Sequence, residues 1–295
     1  MKHYYKVFGN EPVGVVVEMG LGSCLSEWIP MVNQLKNHYG VLLYERAGIN
    51  KSEQSINERT PINIASELHD LLDEVNHMEQ LIFVAHSQGG LYAQQFCRLY
   101  PEMVKGLVLL DPLSAKDNKF KECLSDKEYK RSGVDKSSNF KIMRTMANLK
   151  MGFLAKKLLK NAPPFYYYKD YSQEEINDIL GSCDKVIHAD TALAEYQTAH
   201  VERIVSPLSS KENFPNIPLV LVTHSSELAI QENMQFGNNT REFAEKIEEM
   251  WQNIMKEYLT FSERSYWIQA QKSTHYIHLT EPKLVLEALI KISEL

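Results

Sequence analysis

Cysteine is scarce in this chain, and long apolar runs are absent. The 295 residues include four widely separated cysteines that form no C-x-x-C pair: Cys24, Cys97, Cys123 and Cys183. This pattern argues against a disulfide scaffold or a zinc module, and it fits free thiols in a reducing compartment. No apolar run approaches the length that crosses a bilayer, and the first residues turn polar too early for a signal peptide. We therefore expect a cytoplasmic protein with no integral membrane association.

An excess of positive charge is also absent. The formal net charge is −6, which argues against a nucleic-acid partner, since nucleic-acid-binding surfaces carry clustered Lys and Arg. One segment, residues 116–160, differs from the rest, with 13 Lys or Arg against 5 Asp or Glu. We interpret it as a solvated helix surface, with an anionic substrate or a membrane surface as alternatives.

Metal-binding spacings are missing as well. Metal-dependent hydrolysis through His224, His275 and His278 is one hypothesis, yet no H-x-H or H-E-x-x-H pattern supports it. We expect no metal and no cofactor.

Strands and helices alternate in both end portions of the chain. Short apolar runs predict buried strands, and apolar residues at helical spacing predict helices between them. Strands are predicted at 13–18, 41–46, 81–84, 107–112, 217–226 and 265–270, and helices at 26–37, 61–77, 91–99, 241–260 and from 282 onward. This alternation is typical of an α/β fold with a mainly parallel central sheet flanked by helices.

The alternation stops in the middle of the chain. Residues 113–212 contain no convincing strand but several helical stretches, including 139–160 and 173–198. We predict that residues 113–212 form a helical cap. It is inserted between two strands of a single α/β core that comprises residues 1–112 and 213–295.

The segment LIFVAHSQGGLYAQQF, residues 81–96, places Ser87 between a predicted strand and a predicted helix. A strand that passes directly into a helix must turn sharply, so the serine at the apex is predicted to adopt a strained backbone conformation. Ala85, Gly89 and Gly90 supply the small neighbours that such a turn requires. The pattern is that of a nucleophile elbow, G-x-S-x-G, with alanine in place of the first glycine. A serine that only caps the helix is the alternative.

A serine hydroxyl becomes a good nucleophile when a base takes its proton and a third group orients that base. In a sheet of this topology the base is expected after the last strand, where the sequence reads QKSTHYIHLTEP. His275 lies in this loop, seven residues before Pro282 at the start of the final helix, and it is the predicted base. His278 is the competitor, and its position nearer the helix predicts a structural role.

With these residues the chain resembles the α/β-hydrolase fold family, specifically its capped esterases, and the likeness covers essentially the whole chain. The AHSQGG segment is similar to the nucleophile turn of the family, and His275 with Pro282 is similar to its histidine loop. MGLG, residues 19–22, resembles the H-G-x-G loop of the family, with Met19 where His is usual.

A further segment, YERAGINKS at 44–52, resembles the D-R-x-G-x-G-x-S motif of the family. Glu45 stands in place of Asp, and Asn50 stands in place of the second Gly. Asparagine is the residue other than glycine that best accepts a positive φ, so the second departure is mild.

The resemblance also implies an oxyanion hole and a third catalytic residue. The oxyanion donors are expected to be the backbone N–H groups of Leu21 and Gln88. Two carboxylates are candidates for the acid that orients His275, because both follow strands that end at the same edge of the sheet: Asp111 after LVLL, and Glu227 after LVLVTHSS. We favour Asp111, since some family members place the acid after this strand, although many carry it at the later position.

The implied function is that of a serine hydrolase that cleaves a carboxylic ester of a small molecule. A Ser at the elbow argues against haloalkane dehalogenase and epoxide hydrolase chemistry, since those branches of the family attack with a carboxylate. A thioester or amide hydrolase using the same three residues is an alternative. So is a ligand sensor of the same fold with slow or single turnover.

The substrate is expected to be small to medium in size and largely apolar. The predicted oxyanion loop carries short residues and no charged side chain around Leu21. In the cap, the stretch PPFYYY at 163–168 either packs beneath its own helices or lines an apolar entrance. In the second case the aromatic residues Phe165 to Tyr168 would form the wall that limits acyl length, and substitution of Tyr166 or Tyr167 would shift that limit.

Overall fold

The central element of the structure, a computed structural model, is a seven-stranded sheet. The structure describes residues 1–10, 12–75, 79–134 and 137–295. The strands are β1 (Tyr4–Phe8), β2 (Val13–Glu18), β3 (Gly40–Glu45), β4 (Leu81–His86), β5 (Val104–Leu110), β6 (Leu219–Thr223) and β7 (Ser265–Gln269). They lie in the order β1-β3-β2-β4-β5-β6-β7; β1 is antiparallel to β3, and all other pairs are parallel. The predicted α/β fold class is therefore confirmed.

Apolar side chains cover both faces of the sheet, which explains the unbroken apolar runs of its strands. Alternate residues of a strand point to opposite faces. In β4, Phe83 accordingly belongs to one apolar core, whereas Ile82 and Val84 belong to the core on the other face. Phe83 is fully buried, and its replacement by alanine would destabilise the fold by about 3–5 kcal/mol.

Helices cover the two faces and fill the long connection between β5 and β6. Their bounds are α1 (Ile29–Leu35), α2 (Pro61–Glu74), α3 (Gly89–Leu99), α4 (Asn118–Cys123), α5 (Asp126–Ser132), α6 (Ser137–Asn148), α7 (Gly152–Leu159), α8 (Gln173–Gly181), α9 (Val186–Ala199), α10 (Glu202–Val205), α11 (Ser226–Gly237), α12 (Arg241–Lys256), α13 (Ile277–Thr280) and α14 (Lys283–Glu294). Short 3-10 turns precede or follow some of these helices, at Leu25–Trp28, Pro101–Met103, Ser182–Asp184, Ser206–Leu208 and Glu257–Thr260.

Helix α2 illustrates how the sequence sets a helix start. The Thr60 side chain accepts a hydrogen bond from the Asn63 backbone N–H, and Pro61 occupies the first helical position, where no N–H is needed. The predicted helix at 61–77 ends at Glu74, and its last two residues lie outside the described residues.

The sequence prediction missed strand β1, helix α11 and the short helix α13 (Ile277–Thr280), and it joined others. Strand β1 was not predicted, because it pairs at the edge of the sheet and buries few of its side chains. Helix α11 was also not predicted. The helix expected at 139–160 is broken near Lys150, whose φ is +56°, and the one at 173–198 is broken by the turn at Ser182–Asp184.

The described residues between β5 and β6 form helices α4 to α10 and no strand. This matches the helical character predicted for residues 113–212, which are called the helical segment below. The division into a core and a cap at these boundaries stays a prediction. In the described portion of the chain, no helix has the length and apolar character that crossing a bilayer requires.

Candidate active site

Ser87 lies at the sharp turn between β4 and α3. Its φ is +51°, so the predicted strain at the apex is confirmed. Its backbone N–H donates to the carbonyl oxygen of Leu110 at the end of β5 (3.1 Å). A Cβ atom on Gly89 would lie 2.3 Å from the Glu18 carbonyl oxygen, which explains why this neighbour must be glycine.

The side chains of Ser87, His275 and Asp111 form a continuous hydrogen-bonded series. His275, in the loop between β7 and α13, places Nε2 3.0 Å from Ser87 Oγ and Nδ1 2.7 Å from Asp111 Oδ2. Asp111 follows β5 with a φ of +45° and is almost fully buried. Burial acts to raise its pKa, but the charge of His224 and the hydrogen bonds from both histidines lower that pKa below its ordinary value.

The two competing residues have other contacts. Glu227, the second candidate for the acid, lies on the exposed part of α11 and pairs with Arg241 (2.6 Å). His278 is fully buried, stacks on Trp28 with ring centroids 3.9 Å apart, and lies 3.4 Å from Glu27. The structure thus brings Asp111, not Glu227, to His275, and the contacts of His278 are those expected of a structural residue.

His86, the residue before the serine, anchors the loop that carries His275. Its Nε2–H donates to the backbone carbonyl oxygen of His275 (2.9 Å). Burial lowers the pKa of His86 well below its ordinary value, so the ring is neutral. Its other nitrogen faces the oxyanion loop closely, because a Cβ atom on Gly20 would lie 2.8 Å from it. The sequence pattern places His86 in the elbow motif and predicts no role for it.

The MGLG loop is held from behind by Arg46, which follows β3. The guanidinium donates to the carbonyl oxygens of Met19 (2.6 Å) and Gly20 (3.0 Å). In a planar trans peptide the C=O and the following N–H point in opposite directions, so the N–H of Leu21 points away from Arg46. Leu21 and Gln88, the two predicted oxyanion residues, both line the cavity beside Ser87.

Arg46 is itself buried among carboxylates. It pairs with Glu18 from β2 (2.9 Å) and with Glu195 from α9 (2.8 Å), and all three side chains are nearly inaccessible to solvent. Arg59 also contacts Glu195, at 3.5 Å. This ion-pair network joins the helical segment to the loop that carries Leu21.

A cavity of about 800 Å³ opens in front of Ser87 and His275. Its lining is mainly apolar, and much of the wall comes from the helical segment: Leu113, Phe120, Val134, Phe140, Met143, Leu159, Ile179, Ala192 and Tyr196. Helix α11 adds Ala229 and Phe236. Charged side chains are present too, namely Glu27, Asp117, Arg131 and Glu232, so the wall is less uniformly apolar than the oxyanion loop suggested.

The PPFYYY stretch takes little part in this wall. Pro163 and Pro164 line the cavity, whereas Phe165 packs against Tyr171 with ring centroids 5.6 Å apart. Tyr166 is 45% exposed. Residues Phe165 to Tyr168 are absent from the cavity lining, so their assignment to the lining is wrong. Packing describes Phe165 but not the exposed Tyr166.

Tyr167 instead contacts the histidine loop. Its hydroxyl donates to Glu232 (2.6 Å) and accepts a hydrogen bond from Thr274 (3.0 Å), the residue before His275. Its ring stacks on Tyr276, the residue after His275, with centroids 4.9 Å apart. The helical segment thus contacts both neighbours of His275.

His224, which sequence reasoning considered only as a metal ligand, contacts Asp111. It follows β6, and its Nδ1 lies 2.8 Å from Asp111 Oδ1. Sequence alone offered no signal for this pair, because the two residues are 113 positions apart.

One group of potential metal ligands occurs among the described residues: Cys24, Glu45 and Asp178. Its carboxylates already have donors, since Lys51 Nζ lies 2.6 Å from Asp178 and the Leu25 N–H donates to Glu45 (3.1 Å). Hydrogen bonding and ion pairing account for this group.

Comparisons with known proteins agree with the fold. A family model described as alpha/beta hydrolase fold matches residues 15–130. A relative that aligns with most of the chain is the uncharacterized protein YqjL of Bacillus subtilis, which is 24% identical over 285 residues, or 96% of this chain and 85% of that protein.

Two further comparisons concern named hydrolases. RutD of Yersinia enterocolitica, provisionally named a carbamate hydrolase, is 32% identical over 124 residues. That match covers 41% of this chain and 44% of RutD, so the chain aligns with less than half of that relative. Among solved structures, the epoxide hydrolase CorEH superimposes with a TM-score of 0.65 at 14% identity and covers 99% of this chain and 94% of its own. At this identity the likeness concerns the fold alone.

Proposed function

Because the chain has the α/β-hydrolase fold and a family model of that description matches residues 15–130, we propose that it is a serine hydrolase that cleaves a carboxylic ester through an acyl-enzyme. The observation that carries the proposal is the pair of distances from His275, 3.0 Å to Ser87 Oγ and 2.7 Å to Asp111 Oδ2. A nucleophile, a base and an orienting acid within hydrogen-bond reach are the arrangement that acyl transfer requires.

The positions of the protons on the three side chains are consistent with this chemistry. His275 donates Nδ1–H to Asp111, which leaves the lone pair of Nε2 facing the hydroxyl of Ser87. When Ser87 Oγ bonds to the acyl carbon, its proton passes to Nε2. The same proton then passes to the departing alcohol as the ester C–O bond breaks. Water then gives a proton to His275 as its oxygen bonds to the acyl carbon. The bond between that carbon and Ser87 Oγ breaks, His275 returns the proton to Oγ, and the acid leaves.

The negative oxygen of each tetrahedral intermediate needs fixed donors. We assign this role to the backbone N–H groups of Leu21 and Gln88. Gln88 precedes the first turn of α3, where N–H groups have no partner within the helix, and Arg46 fixes the peptide that contains the Leu21 N–H.

The substrate class follows from the cavity. About 800 Å³ with a mainly apolar wall suits a small to medium, largely apolar ester. We propose that the helical segment, residues 113–212, acts as a cap that limits acyl length, since Phe140 and Met143 of α6 line the cavity. Apolar pockets discriminate by about 1–3 kcal/mol per methylene, so the preference should be graded.

Two other substrate classes come from the relatives. Attack by a carboxylate, the route expected of epoxide hydrolases, has no matching residue here, because the elbow carries Ser87. The similarity to RutD spans part of the chain and favours a carbamate as the second candidate. A carbamate would use the same nucleophile, base and oxyanion donors.

A fluorophosphonate probe tests the central step. Mass spectrometry of the labelled wild type should locate the adduct on Ser87, and Ser87→Ala should remain unlabelled. Ser293→Ala, an exposed serine in α14, is the matched control and should label like the wild type. Equal labelling of wild type and Ser87→Ala would end the proposal.

Paired p-nitrophenyl substrates distinguish the candidate reactions. An ester and a carbamate with the same alkyl chain should be compared for steady-state turnover and for a pre-steady-state burst. Fast ester turnover supports the esterase, and preference for the carbamate reassigns the substrate. A single burst followed by retained acyl group indicates the sensor alternative.

A further inference from the structure

His224 is held between two carboxylates. Its Nδ1 lies 2.8 Å from Asp111 Oδ1, and its Nε2 lies 2.9 Å from Glu248 Oε2 on α12. The backbone N–H of His224 donates to the same Asp111 oxygen (2.9 Å), and Trp251 covers the ring with centroids 4.0 Å apart. All of these side chains except Trp251 are buried.

The geometry sets the charge of this ring. A neutral imidazole has one N–H and one lone pair, so it can donate to one carboxylate only, and its lone pair would face the other. Both contacts are favourable when both nitrogens carry protons. Although burial opposes the charge, the carboxylates of Asp111 and Glu248 raise the pKa of His224 to about 10.

We propose that His224 is a positioning residue of the hydrolytic site, a permanently protonated imidazolium that fixes Asp111 toward His275 and offsets part of its negative charge. The inference rests on the proposed function, because it concerns the acid of the same site. His224 stands where β6 ends, and its Nδ1 contacts both oxygens of Asp111, 2.8 Å from Oδ1 and 3.0 Å from Oδ2. Oδ2 is also the oxygen that faces His275 Nδ1, so His224 holds the carboxylate in the orientation that His275 uses.

An electrostatic role of His224 can be distinguished from a packing role by changing the net charge around Asp111. The trio of Asp111, His224 and Glu248 has one net negative charge when the ring is protonated. Replacing His224 with a neutral residue makes the trio more negative, and replacing Glu248 with glutamine makes it neutral. Proton uptake by His275 is therefore favoured in the first variant and disfavoured in the second.

Other groups that face the two rings are the same in every variant. His275 is faced by Ser87, by the neutral ring of His86, by Tyr276 and by Glu27, whose buried carboxyl has a raised pKa and titrates in all four proteins alike. On the far side of the trio, Gln252 donates to Glu248 (2.8 Å) and Gln269 lies 3.4 Å from the His224 carbonyl oxygen. Neither glutamine titrates.

The first test is the pH dependence of Ser87 labelling by a fluorophosphonate, since His275 must be unprotonated to activate the serine. Compared with wild type, the acid limb of the rate profile should move up by about one pH unit in His224→Gln and down by a similar amount in Glu248→Gln. Glu249→Gln, the exposed neighbour on the same helix, is the matched control and should leave the limb in place. Limbs that coincide in all four proteins would overturn the proposal, because lost packing slows labelling equally at every pH.

The second test is independent of activity. Long-range ¹H–¹⁵N correlation spectra of the histidine rings should show both nitrogens of His224 protonated at pH 8, with His224→Gln or, if that variant does not fold, Glu248→Gln identifying its signals. A singly protonated ring would overturn the proposal. Absence of Ser87 labelling in wild type would instead remove the proposed function, and the spectra would still decide the state of His224.

Discussion

The guanidinium of Arg46 donates a 3.0 Å hydrogen bond to the carbonyl oxygen of Gly20. This bond orients the peptide whose N–H belongs to Leu21, and the same guanidinium pairs with Glu195 on the far side. The position of one proposed oxyanion donor therefore depends on a side chain that lies behind the loop.

Arg46→Lys should lower kcat with little change in KM. Lysine presents a single ammonium and cannot hold two carbonyl oxygens and two carboxylates together. Loss of an oxyanion donor costs about 10²–10³ in kcat, and misplacing one should cost roughly ten- to hundredfold. Steady-state kinetics with p-nitrophenyl butyrate measure the effect, with the exposed Arg241→Lys as control. A raised KM at unchanged kcat would mean that Arg46 supports substrate binding instead.

Asp111→Asn should lose far more activity than Glu227→Gln. In serine hydrolases with this arrangement, converting the acid to its amide lowers kcat by about 10⁴, because the base is held in the wrong tautomer. Glu227 is exposed and paired with Arg241, so its replacement should be nearly silent. The kcat/KM values of the two variants relative to wild type show which carboxylate orients His275. A larger loss in Glu227→Gln than in Asp111→Asn would assign that role to Glu227.

The parts of the fold that the sequence predicted are those with strong local signals. Strands buried on both faces, such as β4, read as unbroken apolar runs. Strand β1 lacks that signal because three of its five residues are exposed, and helix α11 buries a single residue, Ile230. The extent of burial therefore separates β1 and α11 from the strands that were predicted, whereas α13 was missed because four residues are too few to show a helical period.

The residues of the candidate site also fall into two groups, those with a local sequence signal and those without one. Ser87 was identifiable because a strand-to-helix turn demands small residues nearby, and His275 because its loop follows the last strand. The contacts of Asp111 with His224, and of Arg46 with Glu195, join residues 113 and 149 positions apart. These pairs come together only when the sheet is packed and the helical segment is docked on it, so no local sequence pattern predicts them.

Phe140→Ala should shift the acyl-length preference toward longer chains. Phe140 lines the cavity and packs against Tyr196, with ring centroids 5.5 Å apart, so its removal lengthens the apolar space. Each methylene accommodated is worth about 1–3 kcal/mol, which makes the shift measurable in kcat/KM. A p-nitrophenyl ester series from acetate to palmitate tests it. Tyr166→Ala, which alters an exposed aromatic of the same segment, is the control, and a shift in that variant alone would contradict the assignment.

Glu27→Gln should stabilise the protein at alkaline pH. Glu27 lines the cavity, and burial raises its pKa to about 7, although the Ser23 hydrogen bond and the charge of His275 act in the opposite direction. Because the ordinary value is 4.5, the folded protein binds this proton more tightly than the unfolded chain does. The resulting stability is present below pH 4.5 and is lost as the pH rises through about 7, a difference of roughly 3 kcal/mol.

Glutamine keeps the shape of the protonated carboxyl and does not titrate, so the variant avoids that loss. Urea unfolding should give similar free energies for the two proteins at pH 4.5 and a higher value for Glu27→Gln at pH 8. Glu249→Gln, an exposed change of the same chemistry, should match the wild type at both pH values. If the stability of Glu27→Gln relative to wild type does not rise between pH 4.5 and pH 8, burial does not disfavour the ionised carboxylate of Glu27 and the prediction is wrong.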